Sequence, residues 1–289
     1  MWCKNCNIET NDPICPICGS KTVEDIPVEV YWCPECKVPV INTTTQADKG
    51  LCPLCGHKTK YLSADLRPVF PEERLLLELL LGKKPYEYMQ KSVWAANSSY
   101  YIDGKRVALP AKFFEKADTD ELSKQLEEYK GENSYEYFNV YAERFCEANR
   151  NRLNYLVDEA SEFVRNAASK FDEERLVVSF SGGKDSTVTA DLAINALGTS
   201  SIVHIFGNTT LEFPTTGEYA ERYRHNHPHA IFMVAKNEEQ NFIDVCEDIG
   251  PPARMMRWCC SMFKTGPITR TLNSLFRNEQ ILTFYGIRK

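Results

Sequence analysis

Hydrophobic and polar positions change their rhythm three times along the chain. Through residue 60 the apolar positions are few and broken up by cysteine and proline, too sparse to build a core unaided. Between 71 and 81 leucines crowd a short helical stretch that Gly82 stops. The run Tyr100-Tyr101-Ile102-Asp103-Gly104-Lys105-Arg106-Val107 then turns at Asp-Gly, the pattern of a β-hairpin. Asp118 and Thr119 can cap a helix that runs to Tyr129. From about 134 to 170, Phe138, Tyr141, Phe145, Leu153, Leu156, Ala160, Phe163 and Val164 recur at three- and four-residue spacing. That stripe predicts one long helix packed on the sheet that follows.

From Leu176-Val177-Val178 onward, apolar strands at 176–178, 201–206, 230–235 and 281–287 alternate with helical stretches at 185–197, 219–224 and 241–247. Alternation with short connections predicts an α/β fold, a parallel sheet covered on both faces. Ligands of such sheets lie beyond the carboxyl ends of the strands. Residues 181–186, 208–216 and 286–288 all fall at that edge. The rhythm therefore divides the chain into 1–60, a small α+β module with a connecting helix at 61–133, and an α/β domain with its leading helix at 134–289.

Cysteine explains the first segment. Cys3-x2-Cys6 and Cys15-x2-Cys18 are separated by eight residues, and Cys33-x2-Cys36 and Cys52-x2-Cys55 by fifteen. Four thiolates satisfy a tetrahedral Zn²⁺, so residues 1–60 read as tandem zinc ribbons holding about two ions, paired in sequence order. Interleaved pairing and rubredoxin-like iron sites are the alternatives, the latter because of the Cys-Pro-x-Cys knuckles at Cys15, Cys33 and Cys52. His57 follows a complete set and is not expected to be a ligand. Cys146 and Cys246 stand alone and read as buried spectators.

Charge narrows the partners. The 289-residue chain carries a net charge of −6, and its first 60 residues hold six lysines against seven acidic groups. No basic stripe marks a nucleic-acid face, so nucleic acid stays an open partner and the ribbons read as structural or protein-contacting. From 115 to 175 there are 16 acidic and 9 basic residues, and from 251 to 289 there are 7 basic and 1 acidic. A local anion site belongs in the last segment. No apolar run reaches ~18 residues and the N-terminus has no signal pattern, which reads as cytoplasmic with no membrane partner.

Ser179-Phe180-Ser181-Gly182-Gly183-Lys184-Asp185-Ser186 joins the first of these strands to a helix. Backbone amides, a helix N-terminus and a lysine surround one anion-sized space there. The spacing is not G-x-x-x-x-G-K-[ST], because Asp185 follows Lys184 and Val178 stands where that motif has its first glycine. Ser-Gly-Gly-Lys-Asp-Ser resembles the PP-loop of the ATP pyrophosphatases.

Three further motifs make the resemblance specific. Asn208-Thr209-Thr210-Leu211-Glu212-Phe213-Pro214, Arg257-Trp258-Cys259-Cys260 with Lys264 and Pro267, and Gly286-Ile287-Arg288 are similar, in order, to motifs of the phosphoadenosine phosphosulfate (PAPS) reductase family. The likeness covers about residues 175–289 and implies a Rossmann-like, adenine nucleotide α-hydrolase-like domain. The family usually reads Asp-Thr-Gly where Asn208-Thr209-Thr210 stand. It usually continues with Glu-Ser after the Gly-x-Arg, so the resemblance implies a C-terminally incomplete domain. In its iron-sulfur branch a Cys-Cys pair supplies half of a [4Fe-4S] site, a role that Cys259 and Cys260 match, with the other half expected in a longer protein.

The resemblance implies an adenine nucleotide partner (ATP, adenosine phosphosulfate or PAPS) and a sulfonucleotide reductase-like enzyme using a thiol or redox donor protein. The alternatives are an ATP-dependent adenylating pyrophosphatase in sulfur transfer to nucleic acid, and a non-enzymatic zinc-ribbon scaffold that senses a nucleotide. In either enzyme Ser181, Gly182, Gly183 and Ser186 would cradle phosphate oxygens, and Lys184 would neutralise the leaving group. Asp185 would hold Mg²⁺ if ATP is the substrate, or cap the helix. Arg257, Lys264 and Arg288 would clamp the sulfate or distal phosphates.

Overall fold

In the computed structural model the chain divides into two units, Met1–Asn154 and Tyr155–Lys289. The structure describes all residues except 1, 4, 5, 7, 11, 24–27, 44–49, 97, 98, 110–116, 200, 278, 288 and 289.

The first unit begins with the antiparallel pair β1 (Trp2–Cys3) and β2 (Ile8–Glu9). A second ribbon follows, with strands β3 (Val28–Cys33), β4 (Val38–Thr43) and β5 (Lys60–Ser63) in the order β4-β3-β5. The mixed module is the antiparallel sheet β6 (Arg67–Pro68), β7 (Val93–Ala96), β8 (Ser99–Ile102) and β9 (Lys105–Ala108), with helix α1 (Pro71–Leu80) inserted after β6. Its hairpin turns where Asp-Gly predicted: Asp103 and Gly104 have φ 47 and 76, the double left-handed turn that matches strand twist. Gly104 is also demanded by packing, since a Cβ there would lie 2.5 Å from the Trp32 ring. Leu75 and Leu77 of α1 are buried, as the leucine run implied.

Helix α2 (Thr119–Tyr129) starts at Asp118, whose carboxylate accepts the Asp120 and Glu121 N–H groups at 3.1 Å each. The next stretch departs from expectation. Instead of one helix over about 134–170 there are two, α3 (Glu136–Ala148) and α4 (Arg150–Ala168), separated by Asn149. Asn149 is buried; its Oδ1 accepts the Ile41 N–H at 2.6 Å, and its amide donates to the Pro39 and Phe145 carbonyls at 3.0 and 2.8 Å. The side chain thus pins the helix end to β4. The apolar stripe is divided accordingly: Tyr141 and Phe145 pack with Val38, Val40 and the second cysteine set, while Val164 and Ala168 join the core around β10. Phe163 is exposed. Cys146, expected to be buried, is exposed on α3, and Cys246 is half-buried.

The second unit holds a four-stranded sheet: β10 (Leu176–Phe180), β11 (Val203–Asn208), β12 (Ile231–Lys236) and β13 (Leu282–Phe284), ordered β12-β11-β10-β13. Every pairing is parallel. Helices α5 (Lys184–Leu197), α6 (Pro214–Asn226), α7 (Phe242–Ile249) and α8 (Thr265–Phe276) occupy the connections. Alternation along β10 decides which side is covered by what. Val178 and Phe180 meet Ala190 and Ala193 of α5 and Ala220 and Tyr223 of α6, while Val177 faces Ile268, Leu272 and Phe276 of α8. Helix α8 was not anticipated from the sequence. Neither was the single π-turn before it, Cys260–Lys264.

No described helix is long and apolar enough to cross a membrane.

Candidate functional site

Chain order in the sheet reverses at β10, because β11 and β12 lie on one side of it and β13 on the other. In open parallel sheets the crevice outside such a reversal is where ligands sit. The loop that leaves β10 there is Ser181-Gly182-Gly183. Gly182 stands at φ 72, the conformation that favours glycine, and a Cβ on it would meet Thr216 Cγ2 at a tight 3.1 Å. Gly183 is different. It is the N-cap of α5, with φ −83 and ψ 160 open to any residue, and an added Cβ would meet only Ser181 Oγ, at an ordinary 3.5 Å. Nothing in the fold calls for glycine at that position.

Side chains around the loop fall into two classes. Ser186 is 7% exposed and saturated: its Oγ donates to the Gly183 carbonyl at 2.9 Å and accepts from Ser181 N–H and Ser181 Oγ at 3.1 Å each. It therefore shapes the loop from inside. Lys184 and Asp185 face outward, 74% and 46% exposed, with Nζ 3.7 Å from Oδ1. Asp185 lies within the first turn of α5 and is not its N-cap. Gly183 supplies no side-chain cap to the helix, and its own N–H reaches Ser181 Oγ at 3.4 Å.

The loop after β11 is held by its own side chains. Asn208 Oδ1 accepts Thr210 N–H at 2.8 Å, and Glu212 accepts both N–H and hydroxyl of Thr209, at 3.0 and 2.8 Å. Cys259 and Cys260 lie half-buried at the start of the π-turn, where an Arg257 guanidinium N–H reaches Cys260 Sγ at 3.6 Å. A side chain at Gly266 would collide with the Ser261 carbonyl oxygen. The π-turn thus exists only with glycine there, a signal that the sequence carried unread. Lys264 ends the same turn and is exposed. The structure thus brings the phosphate-type loop, the β11 loop and the segment after β13 to one edge. Arg288 lies outside the described residues.

In the first unit, Cys3, Cys6, Cys15 and Cys18 form one cluster and Cys33, Cys36, Cys52 and Cys55 another, with all sulfurs of a set within 4.8 Å of one another. Pairing follows sequence order, and no histidine enters either set. Sulfur separations of 3.4 Å (Cys3 to Cys18), 3.5 Å (Cys33 to Cys55) and 3.8 Å (Cys36 to Cys52) suit a tetrahedron of bonds about 2.3 Å long. Both sets share one knuckle: Cys15 N–H donates to the Ser20 carbonyl at 2.8 Å, and Cys52 N–H to that of His57 at 2.9 Å. Crowding splits the thiols. The hydrogen bond to Cys18 pushes Cys6 up to about 12, and Cys18 falls to about 6, first through Ser20. Burial raises Cys33 to about 11. Both clusters fit a divalent metal that replaces those protons.

Residues 175–289 match the phosphoadenosine phosphosulfate reductase domain family. An uncharacterized protein of Methanocaldococcus jannaschii is 31% identical over 166 residues, covering 57% of this chain and 33% of that one. A second from the same organism is 24% identical over 149 residues, covering 51% and 34%. The chain thus spans about a third of the length of these curated relatives. Among solved structures, an NH3-dependent NAD synthetase from Campylobacter jejuni in complex with nitrate gives a TM-score of 0.34 at 13% identity, over 45% of this chain and 54% of that one. A PAPS reductase from Candida auris in a phosphate complex gives 0.32 at 20% identity, over 43% and 61%.

Proposed function

Taking residues 175–289 as a phosphoadenosine phosphosulfate reductase domain, we propose that the carboxyl edge of the sheet binds an adenine nucleotide by its 5′-phosphate chain. The protein then acts as a sulfonucleotide reductase, turning adenosine phosphosulfate or PAPS into sulfite with an external thiol donor. Gly183 carries this reading: a glycine that the fold does not need, at an uncapped helix N-terminus, is what a closely approaching phosphate needs. The Gly182 and Gly183 amides hold phosphate oxygens, Ser181 joins them by turning its hydroxyl from Ser186 and releasing the Gly183 N–H, and Ser186 keeps the loop in shape. Lys184 neutralises charge that develops on the leaving nucleotide. Arg257, Lys264 and Arg288 hold the sulfate. Two donor thiols supply the two electrons and leave as a disulfide, while the nucleotide departs as adenosine phosphate.

The eight N-terminal thiolates hold two Zn²⁺ and supply most of the folding free energy of their ribbons. Cys259 and Cys260 offer two of the thiolates that a [4Fe-4S] cluster takes, with Arg257 balancing their charge.

One observation favours a second reading. The loop is complete, with an outward lysine and carboxylate side by side at its exit, an arrangement suited to a triphosphate and its Mg²⁺. That is adenylation with release of pyrophosphate, as in sulfur transfer to nucleic acid. Incubating the full-length gene product with ATP, adenosine phosphosulfate and PAPS, with a dithiol present, separates the readings. Sulfite from a sulfonucleotide supports reduction, and pyrophosphate from ATP supports adenylation. Binding without either product leaves a nucleotide-sensing scaffold, and no binding overturns the nucleotide site.

A further inference from the structure

Thr210 stands at φ 67, in the left-handed region where a β-branched side chain is strained. Such strain persists where neighbours over-determine it. Here Asn208 takes the Thr210 N–H, and Glu212 takes both polar groups of Thr209. The strained conformation delivers one contact beyond its own loop: Thr210 Oγ1 accepts the Phe242 N–H at 2.8 Å. Phe242 opens α7, so this bond satisfies one of the amides that a helix start leaves without an internal partner. Its ring lies 5.0 Å from Trp258 and 5.5 Å from Phe263, which is fully buried. Trp258 immediately precedes Cys259 and Cys260. One hydroxyl thus links the loop at the ligand edge, through two aromatic rings, to the cysteine turn.

We propose that Thr210 is a positioning residue: its hydroxyl, acting through Phe242 and Trp258, fixes the Cys259-Cys260 turn, and a nucleotide held at the sheet edge is thereby coupled to the reactivity of those two thiols. The coupling rests on the nucleotide-binding reading. The positioning does not.

The test is alkylation of the zinc-loaded, iron-free full-length protein by iodoacetamide, followed cysteine by cysteine by peptide mass spectrometry, with exposed Cys146 as the internal reference. Thr210→Ala keeps the Cβ and removes the hydroxyl, and should raise the Cys259 and Cys260 rates roughly two- to tenfold, the range for one lost hydrogen bond. Thr210→Ser should restore the wild-type rates, a rescue that generic loosening would not give. Wild-type rates in Thr210→Ala, or wild-type rates in Thr210→Gly alone, would overturn the role of the hydroxyl. So would cysteines in the native protein that already react as fast as Cys146. Saturating ATP, adenosine phosphosulfate or PAPS should slow alkylation in wild type and Thr210→Ser and leave Thr210→Ala unprotected. Equal protection in all three overturns the coupling. If calorimetry detects no nucleotide binding, the functional reading fails, while the Ala and Ser comparison still decides whether Thr210 positions the turn.

Discussion

A Cβ placed on Gly286 would stand 2.7 Å from the Asp185 carbonyl oxygen and 2.7 Å from Thr189 Oγ1. The segment leaving β13 therefore lies directly on the first turn of α5, the helix that presents the phosphate-type loop. Gly286→Ala should lift that segment, since a backbone carbonyl inside a helix cannot give way. The expected result is nucleotide affinity about tenfold weaker by calorimetry, with little change in melting temperature because the segment is exposed. Unchanged affinity would separate the segment after β13 from the site.

The two loop glycines should respond differently to alanine. Gly182→Ala forces an L-residue to positive φ and crowds Thr216, so it should destabilise the second unit by about 1 to 2 kcal/mol in chemical denaturation. Gly183→Ala meets no obstacle and should leave stability within about 0.5 kcal/mol while weakening nucleotide binding tenfold or more, roughly. Normal binding by Gly183→Ala would remove the observation on which the function rests.

Metal removal should act on the first unit alone. Elemental analysis is expected to give about two zinc ions per chain, and a strong chelator should unfold the ribbons while nucleotide binding persists. Asn149→Ala should destabilise the same unit by about 1 to 3 kcal/mol, because it leaves the Ile41 N–H and the Pro39 carbonyl without their partner. Faster zinc transfer to a chromogenic chelator is the measurement.

Local chemistry explains what could be read from the sequence. C-x-x-C spacing, the Asp-Gly hairpin, the Asp118 cap and the Ser-Gly-Gly-Lys-Asp-Ser loop each depend on a few neighbouring residues, and each sits where its pattern places it. The helix break at Asn149 has no proline or glycine to announce it. Its cause is a set of hydrogen bonds to residues more than a hundred positions away. Helix α8 has no such local signature: Gly266 is what admits the π-turn before it, and Pro267 is buried near the helix start. Ser186 illustrates the limit at the site itself. Its residue type fits a phosphate ligand, and only three dimensions reveal that all its hydrogen-bonding capacity is used within the loop.

His204 sets an acid limit for the second unit. It is fully buried on β11, with Nδ1 donating to the Ile202 carbonyl at 2.9 Å and Nε2 3.4 Å from the Tyr223 hydroxyl. Burial, opposed by the bond to the Ile202 carbonyl and aided by the nearby His227, holds its pKa below the ordinary 6.5. The unfolded chain therefore binds the proton more readily, so the contribution of neutral His204 is present above pH 6.5 and is lost as pH falls below it. Denaturation midpoints between pH 7.5 and 5, roughly the histidine range, should fall in wild type and fall less in His204→Gln. Parallel curves would assign the acid sensitivity elsewhere.

The central claim is that the loop from Ser181 to Ser186 holds the phosphates of an adenine nucleotide. Isothermal calorimetry of wild type and Lys184→Ala with ATP, adenosine phosphosulfate and PAPS tests it most directly. Lys184 is largely exposed, so its loss should weaken the preferred ligand by about 1 to 2 kcal/mol, roughly five- to thirtyfold. Equal affinity of the two proteins for all three ligands, or no binding by wild type, would contradict the account.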